Sequence, residues 1–176
     1  SNNVENGFFT SSIVFLTLAF KLKDMYIGLL HFHSLVRWVL LLLMIVSVVK
    51  AFGGQKSGIA YTDSDRKRTM FTMIFGHIQL VMGLVLYMVS PAVQAATADM
   101  GAAMKDPILR FWAVEHVMMM VIAIVLLTIG NIKSKKASTD AAKFKAVAIW
   151  YGIALLLVLV TIPWPFRAVG AGRGWF

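Results

Sequence analysis

The sequence contains no cysteine, and this absence excludes several kinds of chemistry. Disulfide bonds, thiolate metal ligands and cysteine nucleophiles all require a residue that the chain lacks. Covalent attachment of haem through a CxxCH motif is excluded for the same reason. No serine elbow or paired acid–base constellation is present either, so nothing in the sequence indicates a nucleophilic hydrolase.

Charge is also scarce: 14% of the residues are charged and 59% are hydrophobic. A soluble domain carries about a quarter charged residues. The mean hydropathy is +0.78, and the apolar residues are gathered into long runs that a soluble core does not need. At 176 residues the chain has the length of one domain. We therefore expect one integral membrane domain.

The few charges are mostly positive, which gives a net charge of +9. We reject a nucleic-acid partner, because most of these residues lie in short segments between apolar runs. There, positive charge fixes membrane topology and contacts anionic lipid headgroups. The lipid bilayer is therefore the expected partner of the basic residues.

Four apolar segments are long enough to cross the hydrocarbon core, which takes about 20 helical residues. None alternates polar and apolar residues, so none reads as a membrane β-strand. The predicted fold is an all-α membrane protein, an antiparallel bundle of four transmembrane helices. The segments are residues 25–49, 69–89, 107–132 and 144–162.

The remaining segments complete the predicted organisation. Residues 1–24 precede the four-helix domain of residues 25–166 and are either an artefact of the start site or an interfacial segment. Residues 92–106 are Ala-rich and predict a loop or a short surface helix. Residues 167–176 form a C-terminal tail.

The basic residues between the helices predict the orientation of the chain. Ten lie in or beside the loops 50–68 and 133–145, and six lie on the opposite face. Positively charged loops stay in the cytoplasm, so both loops are expected there and both termini outside.

Ionisable groups inside hydrocarbon are costly and mark function by default. All four histidines of the chain lie in the predicted membrane segments, together with a few other polar residues. The set comprises His31, His33, Arg37, His77, Gln79, Arg110, Glu115 and His116.

Two properties indicate which of these residues share one site: their depth in the membrane and the side of the helix on which they lie. A rise of about 1.5 Å per residue places His33, His77 and His116 within about two helical turns of one another in depth. His33 and Arg37 are four residues apart and share a helix face. His31 is two residues from His33 and faces a nearly opposite side, so it is expected outside the site. Glu115 is expected to pair with Arg37, since either alone is costly to bury.

These positions predict a haem b site. The first and third membrane helices lie diagonally across an up-down bundle, which places His33 and His116 as axial ligands on two sides of a flat cofactor. His77 with His116 is an alternative pair. Arg37 and Arg110 are the candidate cations for the propionates. Two glycines of the second helix, at positions 76 and 83, either admit a macrocycle or pack closely against another helix.

Two alternatives stay open. His33, His77, His116 and Glu115 are also a ligand set for a divalent zinc, iron or copper ion, with a structural, transport or catalytic role. The histidines could instead only tie helices together in an accessory subunit of a larger membrane complex.

Several segments resemble a family of small bacterial four-helix membrane proteins that usually carry the label cytochrome B. They are His33-Ser34, Gly76-His77-Ile78-Gln79-Leu80, residues 87–91, Ala113-Val114-Glu115-His116 and Ile162-Pro163-Trp164. The resemblance covers residues 25 to about 166, and it departs from the family at Arg37-Trp38 and at Val117. His33, His77, Glu115 and His116 occupy its motif positions. It implies the fold, a bacterial inner membrane and, through the label, haem. We expect an electron carrier between quinol and a partner complex.

Overall fold

The computed structural model describes residues 2–172, 174 and 175, and of residues 2–20, 22 and 23 it describes the backbone alone. The described chain is helical apart from short connections. Its longest helices are α1 (Asn2–Ser57), α2 (Asp63–Val89), α6 (His116–Lys136) and α7 (Asp140–Thr161). Between α2 and α6 lie α3 (Pro91–Ala98), α4 (Met100–Ala103), α5 (Pro107–Arg110) and a π-helical turn, Phe111–Glu115. A 3₁₀ turn, Ala168–Gly170, follows α7.

Four helical spans are long and apolar enough to cross a membrane, and these confirm the predicted fold. They are Asp24–Ser57, Asp63–Val89, Pro107–Lys136 and Asp140–Thr161. Each contains one of the predicted segments almost completely, and most extend further into the flanking polar residues. Residues 92–106 contain the short helices α3 and α4, as expected. The side chains of nearly the whole N-terminal extension, residues 1–24, lie outside the described residues.

Local signals set the helix ends. Thr62 caps α2 through a reciprocal capping box with Asp65, and Thr139 caps α7. Asp106 accepts hydrogen bonds from the first amides of α5, which begins at a proline. These side chains satisfy backbone N–H groups that a helix start leaves without partners. Pro163 has no backbone N–H group, and α7 ends just before it.

The long helices form a closed ring in which α1 packs against α2 and α7, and α6 packs against the same two helices. The helices α1 and α6 therefore face each other diagonally, as the up-down order predicts. The tightest packing lies toward the basic loops, where Met44, Leu127, Phe144 and Tyr151 are fully buried. At the opposite end the ring encloses a cavity.

Candidate functional site

The cavity has a volume of about 330 Å³ and lies among α1, α2, α6 and the end of α7. This volume is at the lower end of the range for small-molecule sites. Most of its lining is apolar, from residues such as Leu40, Leu80 and Ile124. The residues with polar side chains that line it are Tyr26, His31, His33, Ser34, Arg37, Gln79, Tyr87, Ser90, Trp112 and His116. An apolar cavity with a few converging polar groups is the usual form of a ligand site.

His33 extends from α1 into this cavity and packs against α2. A Cβ atom placed on Gly83 would lie 3.3 Å from the His33 Cε1 atom, so the missing side chain makes room for the imidazole. The amide nitrogen of Gln79 donates a 2.9 Å hydrogen bond to the backbone carbonyl of His33. Within the described chain, His33 Nδ1 and Gln79 Oε1 are buried and have no hydrogen-bond partner. Such groups are costly to leave unsatisfied, so a bound water or a bound ligand is expected beside them.

His116 approaches the cavity from the diagonal helix α6. Its Nδ1 atom lies 3.2 Å from the backbone carbonyl of Thr161. A carbonyl oxygen can only accept a hydrogen bond, so this contact favours the tautomer with the proton on Nδ1 and a lone pair on Nε2. The imidazole also contacts the rings of Phe111 and Trp112, each with a centroid separation of 5.6 Å. His116 is thus oriented as a metal-ligating histidine usually is, by a backbone carbonyl.

Arg37 lines the cavity one helical turn beyond His33, but it does not pair with Glu115 as predicted. Its Nη2 atom donates a 2.7 Å hydrogen bond to the backbone carbonyl of Trp175, which also accepts one from Trp38 Nε1 at 3.0 Å. Its Nε atom is buried without a partner in the described chain. The C-terminal segment therefore folds back over this side of the cavity, and the predicted ion pair is wrong.

Glu115 pairs instead with Arg110, whose Nε atom lies 2.6 Å from Glu115 Oε1. Both side chains are partly exposed, and Arg110 also donates to the backbone carbonyl of Met104 at 3.1 Å. The π-helical turn brings these two residues together on the outside of the bundle. Arg110 is not among the described residues that line the cavity, so its predicted place in the site is not seen.

His77 lies outside the cavity, so the prediction that it converges with His33 and His116 is wrong. It is exposed on a shallow groove along α2, where Nδ1 lies 2.9 Å from the Met73 carbonyl and Nε2 lies 3.5 Å from Thr128 Oγ1. The physical reason is helical facing. Gln79, two residues later, takes the inward face, and residues two apart point to nearly opposite sides.

His31 was expected outside the site, and this prediction is also wrong. The residue is exposed, yet it lines the cavity together with Tyr26 and Leu30. Near the start of the membrane span of α1 the lining of the cavity includes Tyr26, Leu30 and His31, so it is not confined to the helix face that carries His33. His31 lies at the rim, whereas His33 is turned toward α2.

The ligand set of the bare-metal alternative is not assembled. Across the residues that the structure describes, no group of three or more His, Asp or Glu side chains is placed to hold a metal ion. His77 and Glu115 face away from the cavity that His33 and His116 share. Of the four predicted ligands, His33 and His116 line the cavity, and the His31 imidazole borders it at the rim.

Two parts of the site were not predicted from the sequence. The π-helical turn before His116 has no compositional signal, because it consists of ordinary helix-compatible residues. The contact between Arg37 and Trp175 joins residues 138 positions apart, which no local pattern can indicate.

Comparisons with known proteins add no further assignment. No family model, no curated protein and no solved structure matches the chain.

Proposed function

We propose that the cavity binds haem b between His33 and His116 and that the protein is a membrane electron-transfer protein. One observation carries the proposal. The two histidines lie on diagonal helices of the bundle and line the same apolar cavity. In a membrane protein, histidines that face the bundle interior mark function.

The residues present fit the donor set that haem requires. Haem needs two neutral imidazoles, an apolar slot and cations for its propionates. The Thr161 carbonyl favours a His116 tautomer whose Nε2 atom keeps its lone pair. Arg37 lines the same cavity and is the candidate cation. The buried, unpartnered Nδ1 atom of His33 is accounted for if a bound group completes its environment. When bound, haem supplies a one-electron redox centre.

The protein's own residues then hold the cofactor and tune it. His33 is held by Gly83 and by the bond from Gln79 to its backbone, and His116 is held by Thr161. Apolar residues such as Leu40 and Ile124 keep water away from the centre. A low-polarity environment and hydrogen bonds to the ligands set the potential of a haem. The proposed electron donor is a quinol and the proposed acceptor is a larger membrane complex.

The proposal also places the protein in the bacterial inner membrane, with the loops 50–68 and 133–145 in the cytoplasm. The excess of Lys and Arg in these loops supports this orientation.

A visible absorption spectrum of the detergent-purified protein tests the cofactor. After dithionite reduction the wild-type protein should show a sharp α-band, and His33→Ala and His116→Ala should each abolish or shift it. His77→Ala is the matched control, because this histidine lies outside the cavity, and its band should be unchanged. Absence of the band after expression with supplied haem would contradict the proposal and leave the accessory-subunit alternative.

A further inference from the structure

The helix that carries His116 contains a π-helical turn directly before this residue. The amide of His116 donates to the carbonyl of Phe111, five residues back instead of four. The preceding helix α5 and the following helix α6 are both regular. Isolated π-helical turns of this kind interrupt α-helices as single bulges, frequently at functional sites.

The side-chain contacts of this turn depend on its wider geometry. Arg110 and Glu115 are five residues apart, and so are Phe111 and His116. In an α-helix of 3.6 residues per turn, residues five apart are separated by about 140° around the axis and do not face each other. Only the π-helical turn brings both pairs into contact. The Arg110–Glu115 ion pair is therefore an interaction that the π conformation gains and a regular α-helix would lose.

A second contact stabilises the same turn from another helix. The hydroxyl of Tyr87, near the end of α2, donates a 2.9 Å hydrogen bond to the carbonyl of Ala113. This bond ties a backbone carbonyl of the π-helical turn to a side chain of α2, so it anchors the turn to that helix.

The turn joins two segments of the helix that pack against different parts of the protein. Within the turn, Ala113 is buried against Ala96 and Ala103 of the short helices. On its C-terminal side, His116 is in phase with Ala123 and Leu127, which are buried in the bundle. One extra residue in the turn changes the relative phase of the two segments by about 100°. Without it, either the short-helix contact or the inward direction of His116 would be lost.

We infer that Tyr87, Arg110 and Glu115 are positioning residues, which hold the π-helical turn and thereby direct the His116 imidazole into the cavity. None of the three supplies the proposed iron ligand. The inference rests on the proposed role of His116, but the contacts that carry it are present without any cofactor.

The experiment uses ¹⁵N-histidine NMR of the full-length protein in detergent without haem. The chain has only four histidines, so the His116 signals can be assigned from their loss in His116→Gln. At a pH where the imidazoles are neutral, the wild-type protein should show the Nδ1-protonated tautomer that the Thr161 carbonyl selects. In the double variant Tyr87→Phe/Glu115→Gln, this signature should be lost or replaced by a mixture of tautomers, while the His33 signals remain.

The matched control removes the same two kinds of interaction at the other end of the bundle. Tyr61→Phe/Asp140→Asn deletes a tyrosine hydroxyl that lies 3.2 Å from Thr69 Oγ1 and an ion pair of 2.9 Å with Lys143. The His116 signature should be unchanged in this control.

The outcomes separate this inference from the haem proposal. An unchanged His116 signature in Tyr87→Phe/Glu115→Gln, or the same loss in the control, would overturn the positioning role. If the double variant does not fold, the single Tyr87→Phe variant lacks only one hydroxyl and should give a second His116 resonance; one unaltered resonance would overturn the inference. A wild-type protein that binds no haem but behaves as described would reject the haem proposal alone.

Discussion

At the residue scale, the two histidines of the cavity differ in how they are held. His116 is oriented by a carbonyl and by two aromatic rings. The His33 ring lies over Gly83, where a Cβ atom would come within 3.3 Å of its Cε1 atom, so the absence of a side chain there makes room for the ring. A glycine at this place in α2 gives up helix propensity, which indicates that the space it leaves is used.

The substitution Gly83→Ala tests whether this glycine makes room for the His33 ring. The new Cβ atom would lie 3.3 Å from His33 Cε1, which is tighter than usual contact, so the ring must shift. We expect a changed His33 signal in the ¹⁵N-histidine spectrum and, if haem binds, a shifted or weakened α-band. The matched control is Gly152→Ala, where a Cβ atom meets nothing within 4 Å. An unchanged His33 signal in Gly83→Ala would show that the glycine does not determine the position of the His33 ring.

The side of the helix on which a residue lies explains why some predictions about the site residues agree with the structure and others do not. Residues two apart point to nearly opposite sides, and this argument applies equally to the pair His31 and His33 and to the pair His77 and Gln79. In the second pair only Gln79 is buried, so the rule places His77 on the outside. The rule cannot say how wide a cavity opens, which is why His31 still borders it. Cavity width depends on the splay of four helices and is not a property of one.

At the element scale, glycines allow the long helices to approach one another closely. A Cβ atom on Gly130 of α6 would lie 2.7 Å from Trp150 Cβ and 2.9 Å from Tyr151 Cδ2 on α7. A Cβ atom on Gly76 of α2 would lie 2.9 Å from Ile124 Cδ1 on α6. Small residues allow close approach of membrane helices, where packing drives association. Gly76 is thus a packing position and does not border the cavity.

The substitution Gly130→Ala should destabilise the bundle. Overpacking a close contact costs about 1–3 kcal/mol, which exceeds the gain of about 0.5–1 kcal/mol in helix propensity when glycine becomes alanine. Thermal unfolding in detergent, followed by circular dichroism, should show a lower midpoint for Gly130→Ala than for the wild type. Gly152→Ala, in open space on α7, should unfold at the wild-type temperature or above. Equal midpoints for the two variants would contradict the close-packing role.

The spans of the helices could be predicted from the sequence because apolar length is a strong and local signal. The ion pair of Glu115 could not. Its prediction rested on depth, since Arg37 and Glu115 both lie deep in the predicted segments and either alone is costly to bury. The π-helical turn changes the phase of the helix and brings Arg110 into reach. A departure from regular geometry by one residue is enough to exchange the partner of a charged group.

At the scale of the whole molecule, the bundle has two unlike ends. One end holds the short connections 58–62 and 137–139, the basic residues beside them and the close-packed core. The other end holds the cavity, the helices α3 to α5 and the C-terminal segment, in which Trp175 contacts Trp38 and Trp164. Tryptophan is enriched at membrane interfaces, so this end of the bundle suits the level of the headgroups. The cavity therefore lies at the end of the bundle away from the basic loops.

The orientation of these two ends in the membrane is the last prediction, and the absence of cysteine makes it directly measurable. Single variants Gly58→Cys and Ala137→Cys each place one thiol in a connection beside the basic residues, and Met104→Cys places one at the opposite end. Positively charged loops are retained in the cytoplasm. In intact cells, a membrane-impermeant thiol reagent should therefore label Met104→Cys but not the other two variants. Inverted membrane vesicles should give the reverse pattern. Labelling of Gly58→Cys and Ala137→Cys from opposite sides would contradict the bundle itself, and a uniform reversal would contradict only its orientation.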